Sequence, residues 1–296
     1  MLFTVVIPVF NSSDYILDTL KSVQVASRSS DYEIILIDDC SKDVDKLKKI
    51  LQDFDEVKLI EKDEKTNAAN SRNIGILKSK GRYVFLLDSD DHFVPDSIDR
   101  RICLHEENKA GVIFGNFITK IGRKQKKSEL PEYHFEDMRD YILIKKGDFR
   151  SSVISVDKQY YNNTLFDDLS QKHQDWIFAF RCWDNEEKIK FDQQYSTIIN
   201  VDRTSRMSSS MNVKASKYLC QEYLKNREHI NGFSENHWNA MVNYNDRQAC
   251  IFFISIYEPR TISEHLEFGF YKLIASKPIL PLSSRAVITL KHLRDK

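Results

Sequence analysis

The sequence lacks the cysteine and charge patterns that define several classes of protein. Its five cysteines are far apart and form no Cys-x-x-Cys pair, so neither a zinc site nor a disulfide framework is predicted. Scattered free thiols are typical of a reducing compartment. Lysine and arginine total 44, as do aspartate and glutamate. The resulting net charge of zero argues against a general nucleic-acid binder, which is usually basic.

Long apolar runs are also missing, and no stretch is long enough to span a bilayer. The amino terminus, MLFTVVIPVFN, has no basic region before its short apolar run, so we interpret it as a first strand rather than a signal peptide. These absences predict a cytoplasmic protein, either soluble or peripheral at the inner face of the cell membrane.

The chain does contain a regular alternation of apolar runs and amphipathic stretches up to residue 91. The runs predict strands at 3–8, 33–37, 57–60 and 83–87, and the stretches predict helices at 13–26, 43–53 and 70–79. Strands that alternate with helices indicate an α/β fold with a mostly parallel sheet, covered by helices on both faces and joined by right-handed crossovers.

The pattern changes in the rest of the chain. We expect an exposed basic loop at 122–132, strands at 111–121 and 195–201, an extended segment at 152–156 and a helix at 175–183. From residue 213 the periodicity predicts helices alone, at 215–230, 235–257, 263–275 and 284–294. The predicted organisation is therefore an α/β domain over residues 1–212 and a helical extension over 213–296.

Acidic residues follow two of the predicted strands. Asp39 follows the second strand, and Asp88, Asp90 and Asp91 follow the fourth. Because the carboxyl ends of parallel strands share one edge of a sheet, where ligands bind, we expect these acids to meet in one crevice. Hard oxygen ligands suit Mg²⁺ or Mn²⁺, which usually take one or two carboxylates and the phosphates of a substrate.

Other interpretations of these acids stay open. Asp88 and Asp90 are also compatible with helix capping or with solvated loop acids, and Asp39 with a cap on the following helix. Phe10 is either a core residue or a surface on which a base stacks. An EF-hand is excluded because Phe93 stands where that loop needs glycine. A nucleophilic aspartate of phosphatase type has no supporting motif.

Taken together, three segments resemble the family 2 glycosyltransferases, nucleotide-sugar enzymes of the GT-A fold. They are FTVVIPVFNSSDYILDTLKSV, YEIILIDDCSKD and NAANSRNIGILKSKGRYVFLLDSDD, which match the family in order and spacing over residues 3–91. The resemblance implies a GT-A architecture, Rossmann-like and mostly parallel, with a C-terminal helical extension. It also implies nucleotide-sugar binding by residues 1–91 and an acceptor-side region at 92–212.

The resemblance also implies roles for individual residues. Asp90 would hold a Mn²⁺ or Mg²⁺ ion that bridges the diphosphate, with Asp88 beside it toward the ribose or the metal. Asp91 would orient the site or cap the helix that begins near Pro95. The residues implied in nucleotide-sugar binding are Pro8, Phe10, Asp39, Arg72, Asp88 and Ser89.

The implied catalytic base is Asp175, in the segment FDDLSQKHQDWIFAFR, which resembles the family's FDExLxxxEDxDFxLR. Asp175 would deprotonate the acceptor hydroxyl. It is also compatible with a purely structural place at the start of a helix, where acids are favoured. Gln174 replaces the family's glutamate, and His173 is a second, lower-ranked polar candidate.

The segment NVDRTSRMSSS resembles a family loop near the pyrophosphate, although the family's histidine is absent. Arg203 or Arg206 would contact a phosphate oxygen there. A solvated basic loop is the alternative interpretation. The basic run at 122–132 is interpreted as a solvated or acceptor-side face rather than a nucleic-acid site.

The family implies metal-dependent, inverting transfer from a UDP-sugar to a glycan or lipid-linked glycan, as in bacterial lipopolysaccharide, O-antigen or capsule synthesis. The segment 276–296 mixes apolar and basic residues and would touch an anionic membrane or pack on protein. A homo-oligomer is a further possibility. The rival functions are a non-catalytic nucleotide-sugar sensor or scaffold, and a nucleotidyltransferase, which would need a glycine-rich loop after the first strand.

Overall fold

The structure, a computed structural model, describes residues 1–201, 211–244, 246–262, 264–266, 268–269 and 272. These residues form two compact units. The first comprises Met1–Met138 and the chain from Gly147 to Val201. The second comprises Arg139–Lys146 and the described residues from 211 onward, so a short segment of the α/β region belongs to the helical unit.

The first unit contains eleven strands and five α-helices within the described residues. The strands are β1 (Phe3–Val9), β2 (Tyr32–Asp38), β3 (Val57–Glu61), β4 (Tyr83–Leu86), β5 (His92–Phe93), β6 (Val112–Gly115), β7 (Ile118–Ile121), β8 (Lys124–Lys127), β9 (Ser155–Asp157), β10 (Ile189–Asp192) and β11 (Thr197–Asn200). The helices are α1 (Ile16–Ala26), α2 (Val44–Leu51), α3 (Ala68–Lys78), α4 (Ser97–Asn108) and α5 (Gln174–Asp184).

Seven strands form one sheet in the order β10-β6-β9-β4-β1-β2-β3. All of its pairs are parallel except those of β9, which is antiparallel to both neighbours. The residues of β1, β2 and β4 are almost entirely buried, because helices and loops cover both faces of the sheet. The predicted mostly parallel α/β fold is therefore confirmed.

The second sheet has the order β5-β11-β7-β8 and corrects two predictions. The single strand predicted at 111–121 is wrong, since β6 and β7 belong to different sheets. The exposed loop predicted at 122–132 is wrong in part, since β8 pairs antiparallel with β7. All four residues of β8 are exposed, so this edge strand has no apolar pattern by which the sequence could reveal it.

Further corrections concern elements that the sequence did not reveal. Strands β5 and β10 were not predicted, and the segment predicted as extended at 152–156 begins in a short 3₁₀ turn, Ser151–Val153. The helix predicted to begin near Pro95 is α4. Helix α4 begins after Asp96, which occupies its N-cap position. Asp91 therefore does not cap this helix.

Helix α3 packs against the centre of the sheet through Gly75. A Cβ atom at this position would lie 2.2 Å from Cγ1 of Val6 and 2.9 Å from Cδ1 of Ile37. The side chain of residue 75 must therefore be a hydrogen atom for the helix to approach β1 and β2 this closely.

We predict that Gly75→Ala lowers the free energy of unfolding by roughly 1–3 kcal/mol, because the added methyl group overpacks a rigid core. Urea denaturation would measure the change. Gly269→Ala is the matched control, since an added Cβ there has no neighbour within 4 Å. Equal stability of the two variants would show that α3 can move away from the sheet without cost.

The second unit is helical in its described part, which confirms a helical C-terminal region. It contains a π-helical turn, Asp140–Ile144, and helices α6 (Val213–Tyr223), α7 (Arg227–Tyr244) and α8 (Arg247–Ile256). The bounds predicted for the first two helices, 215–230 and 235–257, are wrong because the chain leaves the helix at Leu224 and begins the next at Arg227. The predicted helix at 284–294 and the basic segment 276–296 lie outside the described residues.

Arg139 and Gly232 tie the π-helical turn to these helices. The Arg139 Nε donates to the carbonyl of Tyr223 at 2.6 Å. A Cβ on Gly232 would lie 2.4 Å from the carbonyl oxygen of Leu143, so α7 contacts the turn closely. No helix in the described ranges is long and apolar enough to cross a bilayer.

Candidate functional site

The acids that were predicted to meet at one sheet edge do follow strands whose carboxyl ends share that edge. Strand β1 lies between β2 and β4, parallel to both, so their carboxyl ends share one edge. Asp39 follows β2 and donates its backbone N–H to the Val9 carbonyl, while Asp88 follows the buried β4. The topology thus brings residues far apart in sequence to one edge of the sheet.

Asp39 is held by two partners that the sequence did not suggest. Its Oδ1 accepts hydrogen bonds from Lys62 Nζ at 2.7 Å and from the Thr66 backbone N–H at 2.8 Å. Its Oδ2 accepts none from a described residue. A carboxylate fixed through one oxygen presents the other in a defined direction, as recognition of an N–H donor requires. Asp39 is not an N-cap, since α2 begins after Asp43.

Arg72, on the first turns of α3, connects Asp88 to the start of α5. Its Nη2 donates to Asp88 Oδ1 at 2.6 Å and its Nη1 to Gln174 Oε1 at 3.2 Å. Burial alone would lower the pKa of this guanidinium. The negative charges of Asp88 and Asp175 together outweigh burial, so the pKa lies above its ordinary value. Arg72 is therefore a permanent cation between the strand-end acids and α5.

The same turn of α3 connects the two strand-end acids. Ser71, next to Arg72 in sequence, receives a hydrogen bond from Lys62 at 3.4 Å, and Lys62 is the partner of Asp39. Consecutive residues of α3 thus contact the partner of one acid and bind the other directly. This arrangement places Asp39 and Asp88 on the two sides of the same helical turn.

Asp175 lies in the first turn of α5, close to Arg72 and Asp88. Its Oδ1 accepts a hydrogen bond from the Ser151 hydroxyl. Burial raises the pKa of this carboxyl and the negative charge of Asp88 adds to the effect, while Arg72 and Ser151 oppose it, leaving the pKa above its ordinary value. A partly accessible carboxylate with raised pKa is suited to accept a proton.

Asp91 differs from its two acidic neighbours because its side chain is fully enclosed. Oδ2 accepts from the Ser152 hydroxyl at 2.6 Å, and Oδ1 accepts from the backbone N–H of Asn200 at 2.9 Å. Burial, with the charges of Asp88 and Asp90, raises the pKa of Asp91 well above its usual range. Asp91 therefore fixes the loop between β4 and β5, which also carries Asp88 and Asp90.

The loop carries two carboxylates that suit a divalent cation. Asp88 uses Oδ1 for Arg72, its Oδ2 has no hydrogen bond from a described residue, and its side chain is 40% exposed. Asp90 is partly exposed, and the Asn200 side chain donates to its backbone carbonyl. Within the described ranges no cluster of three metal-ligating side chains exists. Two carboxylates beside a ligand's phosphates nevertheless fit Mg²⁺ or Mn²⁺.

The other predicted donor residues lie around the end of β1. Phe10 is 42% exposed beyond this strand, and Lys65 Nζ lies 3.5 Å from the centre of its ring. The Ser89 hydroxyl is buried against that of Ser12 at 2.8 Å, so Ser89 fixes the loop after β1 rather than facing solvent. Pro8 is half-buried within the strand. Arg203 and Arg206 lie outside the described residues.

His173, the second candidate base, begins α5 from a left-handed backbone conformation with φ of 62°. Its ring stacks on Trp176 at 5.8 Å between centroids. The residues that sequence reasoning missed are Lys62, Ser151, Ser152 and Asn200. Only Lys62 had a usable signal, since it directly follows β3 and so lies at the same sheet edge.

Comparison with known protein families identifies the family to which this chain belongs. The model of the family described as glycosyl transferase family 2 matches residues 4–169, which include β1 to β4 and the strand-end acids. The chain belongs to glycosyl transferase family 2. The resemblance inferred from residues 3–91 is therefore confirmed, and the match extends past them.

Two relatives of this chain are named as glycosyltransferases. AmsB of Erwinia amylovora, an amylovoran biosynthesis glycosyltransferase, is 26% identical over 227 residues, covering 73% of this chain and 74% of AmsB. TarP of Staphylococcus aureus strain N315, a poly(ribitol-phosphate) β-N-acetylglucosaminyltransferase, is 30% identical over 213 residues, covering 67% of this chain and 62% of TarP.

Solved structures show the same architecture for this family 2 member. The crystal structure of Staphylococcus aureus TarS 1-349 in complex with UDP-GlcNAc aligns with a TM-score of 0.64 at 16% identity, covering 87% of this chain and 82% of TarS 1-349. At that identity the likeness establishes the fold alone. The predicted GT-A architecture, with helices flanking a mostly parallel sheet and a helical C-terminal region, is confirmed.

Proposed function

We propose that this protein transfers a sugar from a UDP-sugar to a hydroxyl group of a bacterial surface glycan, free or lipid-linked, with inversion at the anomeric carbon. The observation that carries the proposal is the link from Asp88 through buried Arg72 to the turn that bears Asp175. This link connects the acid that follows β4 to the candidate catalytic base. Membership in family 2 and the names of AmsB and TarP, both of which describe sugar transfer, support the same reaction class.

We assign the binding site of the donor's nucleobase to Asp39, at the carboxyl end of β2. Uracil carries an N–H donor between two carbonyl acceptors, and Oδ2 of Asp39 is an acceptor left available by Lys62 and Thr66. The exposed ring of Phe10 offers a stacking face nearby in the fold. UDP-GlcNAc in the TarS crystal structure makes a uridine nucleotide the first donor class to examine.

The acceptor hydroxyl is assigned to Asp175. Its Oδ1 accepts the Ser151 hydroxyl, and its second carboxylate oxygen, Oδ2, would take the proton. The oxygen would then attack the anomeric carbon on the face opposite the departing diphosphate, which inverts the configuration. Arg72 favours the ionised form of Asp175 and so keeps the base ready near neutral pH.

The cation is assigned to Asp90 and to the available Oδ2 of Asp88. When bound there, Mn²⁺ or Mg²⁺ would neutralise the charge that grows on the leaving diphosphate. Asp91, Ser152 and Asn200 would keep these carboxylates in place before the donor arrives. Arg203 and Arg206 stay predictions as phosphate ligands.

The proposed function is tested by donor binding and turnover together. We expect UDP to raise the melting temperature when Mn²⁺ is present, because a ligand at 100 times its Kd stabilises the fold by about 2.7 kcal/mol. We expect no comparable shift with ADP, whose adenine has no ring N–H to offer Asp39. At least one sugar in a UDP-sugar panel should give Mn²⁺-dependent UDP release.

Two outcomes would separate the alternatives. UDP binding without release from any UDP-sugar, with or without glycan acceptors, would favour a nucleotide-sugar sensor or scaffold. A lack of shift with UDP and Mn²⁺ would remove the donor assignment. Asp39→Asn is the informative variant, because its amide oxygen can still accept from Lys62 and Thr66 while its amide nitrogen cannot accept the N–H of uracil. It should reduce the UDP shift more than it lowers the melting temperature of the unliganded protein.

A further inference from the structure

Strands β7 and β8 form a hairpin with a strong positive charge, here called the basic hairpin (residues 117–128). It contains five cations and no acidic residue, in a chain whose net charge is zero. Residues 121–127 are all exposed. Its cations, which form no salt bridge with a described residue, are Lys120, Arg123, Lys124, Lys126 and Lys127.

One strand of the basic hairpin pairs with β11, whose Asn200 contacts the loop after β4 that carries Asp90 and Asp91. In the parallel pair of β11 and β7, Asn200 lies opposite Lys120, and Val201 donates its N–H to the Lys120 carbonyl at 2.9 Å. The same Asn200 binds Asp91 through its backbone and the Asp90 carbonyl through its side chain. The position of the hairpin is therefore fixed relative to the donor side of the site.

The base of the basic hairpin reaches the candidate catalytic base through Arg150. Phe117 and Ser128 close the hairpin with hydrogen bonds of 2.9 Å in both directions. The Arg150 guanidinium lies 4.8 Å from the centre of the Phe117 ring, and the next residue, Ser151, donates to Asp175. A continuous run of contacts thus leads from the hairpin to Asp175.

Arg150 retains hydrogen-bonding capacity for a ligand. Its Nε donates to Asp148 at 2.7 Å, whereas its two Nη groups donate to no residue in the described part of the chain. Its side chain is 42% exposed. Guanidinium groups match phosphate oxygens with paired N–H donors, so Arg150 is suited to contact an anionic group held close to Asp175.

We propose that the basic hairpin and Arg150 bind an acceptor polymer that carries phosphate groups along its chain, and hold it so that one of its hydroxyls reaches Asp175. The inference rests on the proposed function, because it names the acceptor class of the same site. From Phe117 to Ile121 the hairpin spans about 13 Å at the usual rise of a strand. Cations spread over that length suit a repeating anion better than a single phosphate.

An anionic membrane surface fits the same residues less well. Peripheral membrane binding combines cations with several apolar side chains that enter the lipid. The basic hairpin exposes one large aliphatic side chain between its cations, Ile121 at 57%. Its charges also continue to Arg150, which contacts Phe117 at the base of the hairpin and precedes the residue that binds Asp175.

The test is binding of poly(ribitol phosphate), used as the probe polymer, to the whole chain at low ionic strength. We expect binding that weakens with added salt, since exposed charge pairs are screened. Replacing three hairpin cations should weaken it about tenfold, as each exposed pair contributes a factor of about two; the variant combines Arg123→Gln, Lys124→Gln and Lys126→Gln. The matched control removes three exposed lysines elsewhere in the same unit, Lys49→Gln, Lys78→Gln and Lys188→Gln, and should bind as the unaltered protein does.

Variants of Arg150 provide a second, independent test of polymer binding. We expect Arg150→Gln to weaken polymer binding and Arg150→Lys to retain most of it, with the melting temperature showing that both variants fold. Wild-type affinity in the hairpin variant, or an equal loss in the control variant, would overturn the proposal. So would binding to phosphatidylglycerol vesicles without binding to the polymer, which would indicate a membrane surface instead.

A separate measurement distinguishes failure of this inference from failure of the proposed function. Binding of UDP with Mn²⁺ depends on Asp39 and the strand-end acids, so it should be equal in the unaltered, hairpin and control proteins. UDP binding without polymer binding would overturn the acceptor class alone. Polymer binding without UDP binding would support the surface and overturn the donor assignment.

Discussion

Asp175→Asn is expected to lower kcat roughly 10²- to 10⁴-fold, the usual contribution of a positioned general base. Asparagine has almost the same shape, and its amide oxygen can still accept the Ser151 hydrogen bond. Arg72 and Asp88 keep their ion pair, so the donor half of the site stays assembled. The affinity for UDP in the presence of Mn²⁺ should therefore change little while turnover is lost.

The pH dependence gives a second signature of the same assignment. Burial raises the pKa of Asp175, so the acidic limb of the kcat profile should lie above the usual range for an aspartate. Activity should fall as the pH drops through that pKa, because a protonated carboxyl cannot accept the acceptor's proton. The residual activity of Asp175→Asn should not show this limb.

His173→Ala is the comparison that isolates Asp175 from its neighbours. His173 lies two residues away and is the other polar candidate at the start of α5, with its ring on Trp176. We expect this variant to retain most of the wild-type kcat. Full activity in Asp175→Asn together with a large loss in His173→Ala would transfer the role of base to the histidine.

The fold of residues 1–91 could be predicted from the sequence because its buried strands appear as apolar runs. Strands β1, β2 and β4 are buried on both faces and so appear as continuous apolar runs, and the runs of β2 and β4 lead into Asp39 and Asp88 at the ligand-binding edge. Topology alone then brings Asp39 and Asp88 to that edge. No side-chain contact had to be known for this part of the prediction.

The region after residue 91 was harder to predict because its geometry depends on contacts between distant residues. Asn200 binds Asp91 across 109 positions of sequence, and Gln174 binds Arg72 across 102. Strand β8 is fully exposed at a sheet edge and carries no apolar alternation. Nothing in a single sequence signals such pairings, so Ser151, Ser152 and Arg150 became visible only in the structure.

Asp90→Ala is expected to lower Mn²⁺-dependent kcat roughly 10²- to 10³-fold, the usual cost of removing one group that stabilises developing charge. The Asp90 side chain is partly exposed whereas that of Asp91 is enclosed, so Asp90→Ala should lower the melting temperature less than Asp91→Ala does. Asp91→Ala should behave differently, because it leaves Ser152 and the Asn200 N–H without their carboxylate and so lowers the melting temperature.

The contrast between these two variants decides which acid holds the cation. Titration with Mn²⁺ should show weakened metal dependence in Asp90→Ala, with higher concentrations failing to restore the full rate. Asp55→Ala, at an exposed position on the α2–β3 connection, is the matched control and should retain both activity and stability. If Asp90→Ala kept the wild-type response to Mn²⁺ while Asp91→Ala lost it in a folded protein, the ligand would be Asp91, and the loop would have to open to expose a carboxylate that the structure encloses.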